Sequence, residues 1–139
     1  MWAHYADSHR GICLEFDLRN DVLCGALKCE YSAAFPMMRL WDNSEAAALL
    51  VLLSKSEVWG YEQEYRLVAQ ERAEAVEGAD TLVTDQSFLQ LPVGALRAVI
   101  TGCQSDHERI RALVQEVAPN VAVRRAVREP NRFEVAIEG

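Results

Sequence analysis

Apolar residues in this chain recur mostly at every second position, and only two stretches carry helical spacing. That ratio limits the fold more than any single motif does. Ile12, Leu14 and Phe16 alternate with Cys13, Glu15 and Asp17, the pattern of a half-buried strand. Leu27, Cys29 and Tyr31 alternate with Lys28 and Glu30 in the same way, which predicts a second strand near 26–32, before Pro36 breaks the pattern. Further strands are expected from about Glu64 to Ala69, Ser87 to Leu91 and Arg97 to Thr101, with Gly102 ending the last of these. Val121 to Val127 and Arg132 to Glu138 complete the set as a hairpin across Arg128-Glu129-Pro130-Asn131.

The two helical stretches differ in character. The first runs through Ala46 to Leu53, with Asp42 or Asn43 as its cap and Glu45 in its first turn. It is apolar on every side and is therefore expected to be buried. The second opens on Ser105-Asp106-His107-Glu108, read as a capping box in which serine and glutamate each satisfy a free amide. Ile110, Leu113, Val114 and Val117 follow at helical spacing as a core stripe, and Pro119 stops the helix. Residues 71–86 are acidic, small and turn-rich, so an exposed loop is expected there.

Strands thus outnumber helices, and most follow one another without a helix between them. The expected fold is α+β: a mixed, largely antiparallel sheet of about six or seven strands with two main helices packed on it. A length of 139 residues fits a single domain, 1–139, with enough chain to bury a core. With 14 Lys plus Arg against 21 Asp plus Glu the net charge is -7, which argues against a general binder of nucleic-acid backbones or anionic lipid. The longest apolar run, Ala46 to Leu53, is too short to span a bilayer, and no leader-like pattern starts the sequence. Cys13, Cys24, Cys29 and Cys103 form no C-x-x-C pair, and Cys13 and Cys29, which lie within alternating patterns, read as small buried hydrophobes of a soluble, cytoplasmic protein.

Chemistry-bearing residues concentrate in two blocks. The first holds Trp2, His4, Tyr5, Ala6, His9 and Gly11, directly before the first strand. His4 and His9 are five apart, a spacing that suits metal ligands on neither a helix nor a strand, and no metal is expected. His9 is either an acid or base, or a side chain that hydrogen-bonds the turn ending at Gly11 while Trp2 and Tyr5 pack on the core. The second block is Trp59-Gly60-Tyr61-Glu62-Gln63-Glu64-Tyr65-Arg66-Leu67. In a strand beginning near Tyr61, Glu62, Glu64 and Arg66 share one face. Three roles stay open: a structural ion-pair ladder, a glutamate of raised pKa acting as acid or base, or an arginine fork that clamps phosphate or carboxylate. Arg124, Arg125, Arg128 and Arg132 cluster among Glu129 and Glu134, as a solvated hairpin or a local nucleic-acid contact.

At the two blocks the sequence resembles a bacterial family known as domain of unknown function 2971. That family carries a W-x-H-Y-A…H-x-G block and a later W-x-Y-E-x-E-x-R block. They match Trp2, His4, Tyr5, Ala6, His9, Gly11 and Trp59, Tyr61, Glu62, Glu64, Arg66, and Leu96 to Gly102 is similar to a later apolar strand of the family. The resemblance implies kinship with the C-terminal part of the family, which usually has a further N-terminal region, and a homodimer is the expected cover for the surface left bare. It implies no particular activity and no cofactor.

The leading expectation is a small protein that binds a small anionic or nucleotide-like ligand through His4, Tyr5, His9, Glu62, Glu64 and Arg66. One alternative is an enzyme acting on a nucleotide or nucleic acid, with His9, Glu62 or Glu64 as the catalytic candidates. The Glu62-x-Glu64 spacing resembles that of some ADP-ribosyltransferases, whose other strand motifs are not evident here. The other alternative is an interaction module kept on a mobile element or in a defence locus.

Overall fold

The computed structural model describes residues 1–37, 41, 44–72, 82–132 and 134–139. In chain order the described strands are β1 (Ile12–Phe16), β2 (Leu27–Lys28), β3 (Glu30–Ser32), β4 (Ser54–Ser56), β5 (Tyr65–Arg66), β6 (Ala69–Glu71), β7 (Leu82–Thr84), β8 (Leu96–Thr101), β9 (Ala122–Arg128) and β10 (Val135–Glu138). The α-helices are α1 (Trp2–Tyr5), α2 (Glu45–Leu53) and α3 (His107–Val117). The fold is α+β, and the chain falls into two compact units: Met1–Asn20 with Pro92–Gly139, and Asp21–Leu91.

The first unit is built on β8, where Ala98 to Thr101 are all buried. Buried on both faces, this strand needs neighbours on both edges. β1 runs antiparallel along one edge, with Ile12 opposite Thr101, and β9 runs parallel along the other, with Ala98 opposite Ala122. β10 closes the order β1-β8-β9-β10 by the expected hairpin, Val135 facing Arg128. A parallel pair requires a crossover, and α3 supplies it.

Two details of α3 depart from expectation. Its N-cap is Asp106, whose carboxylate accepts the Arg109 N–H at 3.1 Å, while the Ser105 hydroxyl turns back to the Gly102 carbonyl at 2.7 Å. An aspartate one residue on competes well for a role that either side chain can fill. The apolar stripe is also only partly core: Val114 is buried, but Leu113 and Val117 are exposed.

The second unit holds three two-stranded pairs in place of an extended sheet: β2 with β5 antiparallel, β3 with β4 parallel, and β6 with β7 parallel. The sheet of six or seven strands expected from the alternation is thus a four-stranded sheet plus these pairs. Cys29 shows why. It divides the predicted strand at 26–32, because its amide donates to the Glu64 carbonyl at 2.9 Å between β2 and β3. No strand forms at Ser87 to Leu91 either. Gln86 and Ser87 take left-handed φ values of 51° and 65°, making a two-residue turn closed by mutual Asp85 and Phe88 backbone bonds. The Glu71 carboxylate accepts both turn amides, from Gln86 at 2.8 Å and Ser87 at 3.0 Å.

α2 is capped by Ser44, which accepts the Ala47 amide; Asp42 and Asn43 lie outside the described residues, as do 73–81 of the expected loop. The flanks of that loop pair as β6 and β7. Burial of α2 on all sides is not realised: Ala47 is buried, whereas Leu50, Val51 and Leu52 are exposed. Short strand pairs offer too little apolar surface to surround a helix. Among the described residues no helix is long and apolar enough to cross a membrane.

Two substitutions test the first unit. Asp106→Ala should cost about 1 kcal/mol in chemical denaturation, the usual worth of an N-cap, and more than Ser105→Ala. Gly102→Ala should lower stability by about 1–3 kcal/mol, the range for overpacking. A Cβ there would stand 2.1 Å from the His9 carbonyl oxygen, so backbone has to move.

Candidate functional site

Glu62, Glu64 and Arg66 do come together, but not as one strand face. Glu57–Glu62 forms a 3-10 helical turn, Gln63 takes a left-handed φ of 49°, and only Tyr65–Arg66 is strand. What gathers the two glutamates is Lys55, on β4. Its ammonium contacts the Glu62 carboxylate and lies 2.6 Å from Glu64 Oε2. The Glu62 side chain is 4 % exposed, so its charge needs a partner where water does not reach. Lys55 also stands over the Trp59 ring, 5.6 Å from its centre, and the Trp59 and Tyr61 rings lie 6.1 Å apart.

Arg66 engages the other side of Glu64. Its Nε donates to Oε1 at 2.6 Å and Nη2 to Oε2 at 3.2 Å, a forked pairing, and Nη1 donates to the Leu52 carbonyl. The Glu64 backbone is held as well: its amide donates to the Tyr31 hydroxyl at 2.8 Å, and its carbonyl receives Cys29. Two carboxylates and two cations therefore offset one another in a continuous network.

The electrostatics follow from these bonds. Arg66 first, then Lys55, hold the Glu64 carboxyl down from 4.5 to about 2. Glu62 and Glu64 raise the Lys55 ammonium above its ordinary value, and Glu64 raises Arg66. A carboxylate held so low is ionised at neutral pH and accepts a proton poorly, which weighs against Glu64 as a general base.

Beside this network lies a cleft of about 340 Å³, lined by Ser32, Phe35, Pro36, Val51, Ser54, Lys55 and Ser56 among others. The parallel pairing of β3 and β4 sets Ser32 opposite Ser56. Lys55 thus belongs both to the network and to the cleft. The sequence held one signal for it: Lys55 is the sole Lys or Arg between Arg39 and Arg66, in a stretch with four glutamates. An uncompensated cation requirement could have been read from that.

The N-terminal block lies in the first unit. His4 and Tyr5 end α1, and Tyr5 is exposed, so it does not pack on the core as expected. Asp7, Ser8 and His9 all have positive φ, at 43°, 52° and 70°, a rare run without glycine. The run brings the chain back so that the His9 carbonyl accepts the Gln104 amide at 3.0 Å and the Gly11 amide donates to the Ala6 carbonyl at 2.9 Å. The His9 ring stacks on Trp2 at 6.3 Å, nearly parallel, and its buried Nδ1 has no hydrogen-bond partner among the described residues. Among the described residues no group of three His, Cys, Asp or Glu gathers as a metal site. Arg124 contacts Glu15 across the sheet at 2.9 Å, and Arg132 lies 3.6 Å from Glu134, so these two members of the basic cluster are paired. No family model, curated protein or solved structure matches the chain.

Because Glu64 is depressed from 4.5 to about 2, its pairing stabilises the fold fully above pH 4.5 and is lost as pH falls toward 2. Glu64→Gln should therefore lower the melting temperature at neutral pH. It should also flatten the acid limb of stability between those pH values, as followed by circular dichroism.

Proposed function

We propose that this chain binds a small anionic, nucleotide-like ligand, and that the cleft beside Lys55 is where it sits. The cleft itself carries the proposal. Its volume of about 340 Å³ falls in the range of small-molecule sites, and it combines an apolar wall with three hydroxyls and one cation. Phe35, 95 % exposed, offers a ring face on which a flat base can stack. Lys55 gives two of its three N–H groups to Glu62 and Glu64 and keeps one for an anionic group. In this reading Arg66 acts through Glu64, which it fixes against Lys55. His4, Tyr5 and His9 belong to the other unit and are not needed for it. Kinship with the family of domain of unknown function 2971 is part of the proposal and adds no chemistry of its own.

A second reading, an interaction module that pairs with itself, is favoured by the apolar surface of the second unit. Met37, Trp41, Leu50 and Leu52 are all exposed there, more than an isolated domain usually leaves bare.

Thermal unfolding against nucleotides, dinucleotides and sugar phosphates tests the first reading. A ligand at a hundred times its dissociation constant adds about 2.7 kcal/mol. One class should stabilise the parent but not Phe35→Ala, whose own melting temperature should barely change. Stabilisation that survives in Phe35→Ala, or none from any class, overturns the reading. Light scattering that returns a dimer mass in the absence of ligand would support the second.

A further inference from the structure

A second polar groove lies wholly within the first unit, between α3 and the sheet edge formed by β9 and β10. It has a volume of about 560 Å³. His107, Arg111 and Gln115 stand four residues apart on one face of α3 and line it from the helix side. Arg125 lines it from β9, with Glu138 directly opposite on β10.

Three observations distinguish this groove from an ordinary solvated surface. First, the two guanidiniums come from separate elements onto one concavity, and neither Arg111 nor Arg125 makes an ion pair with a described residue. Arginines that converge without carboxylate partners suit a planar or tetrahedral anion. Second, His107 is held from behind. The Thr101 side chain is fully buried in a strand whose other buried residues are apolar, and its hydroxyl stands 2.8 Å from His107 Nδ1. The same hydroxyl lies 3.2 Å from the Arg124 carbonyl, so Thr101 ties the imidazole to β9. That contact holds the orientation of a ring that lines the groove. Third, Glu108 and Glu138 also line the groove and add carboxylate acceptors to it without forming an ion pair with either arginine among the described residues.

Two forked donors for an anion, with two carboxylates and an imidazole lining the same groove, describe one chemical class. We propose that this groove binds a phosphate monoester bearing free hydroxyls, of the sugar-phosphate type. Arg111 and Arg125 hold the phosphate; the glutamates accept hydroxyl hydrogens, and the His107 ring hydrogen-bonds a further hydroxyl, which can serve either tautomer as donor or acceptor. A bare phosphate satisfies the arginines and leaves the acceptors idle. A neutral sugar does the reverse. The site is independent of the cleft beside Lys55.

Isothermal titration with ribose 5-phosphate, inorganic phosphate and ribose, on the parent and on single Arg111→Ala and Arg125→Ala variants, tests this. Both arginines are exposed, so the variants should keep the parental melting temperature. Ribose 5-phosphate should bind at least tenfold more tightly than either fragment. Each arginine variant should weaken it at least tenfold, whereas Phe35→Ala should leave it unchanged. The His107 ring resonances should shift on titration. The proposal is overturned if ribose 5-phosphate does not bind or inorganic phosphate binds equally well. It is also overturned if affinity survives in both arginine variants, and loss in Phe35→Ala alone would assign the binding to the other cleft.

Discussion

The ammonium of Lys55 fixes the polar half of the second unit. Glu62 and Glu64 would repel each other and resist desolvation, and the side chain of Glu62 is almost wholly out of water. By standing between them, Lys55 ties β4 to the turn Glu57–Glu62 and to the start of β5, while Arg66 locks the far side of Glu64 to the end of α2 through Leu52. Tyr31 and Cys29 then bind the backbone of the same glutamate to the segments about β3. A unit of short strand pairs has few ladder hydrogen bonds, so cross-links of this kind carry much of its specificity.

The first unit obeys a different constraint. β8 is buried on both faces and both edges, and its close approach to the N-terminal block leaves no room for a side chain at Gly102. The left-handed run Asp7–Ser8–His9 is the backbone's answer to that contact, since it delivers the His9 carbonyl to the Gln104 amide. Conformational strain there is offset by the packing around it. Thr101, fully buried on this scaffold, holds the His107 ring by a contact of 2.8 Å to Nδ1.

Binding in either unit would rest on cations, Lys55 in the second and Arg111 with Arg125 in the first. Glu64, one of the three catalytic candidates in the sequence, is kept ionised by two cations. The network thus works as a scaffold for Lys55, the cation that meets the cleft.

Local pattern alone determined much of this protein. The strand at 12–16, the strand at 96–101 with Gly102 after it, the helix ending before Pro119 and the C-terminal hairpin were all legible, because period and turn chemistry are written in adjacent residues. The prominence of Glu62, Glu64 and Arg66 was legible for the same reason. Their geometry was not: alternation suggested a common strand face, while the actual gathering depends on Lys55, seven and nine residues before the two glutamates and held on a parallel strand pair. Burial was equally beyond reach. The apolar α2 and the stripe Leu113–Val117 read as core, yet exposure depends on what other elements offer as cover. The sequence determined which segments form and which residues carry charge. Only the tertiary structure decided which polar groups meet, because the pairing of Lys55 with Glu62 and Glu64, seven and nine residues on, and of Thr101 with His107, six residues on, follows from strand register and turns and not from a helix or strand period.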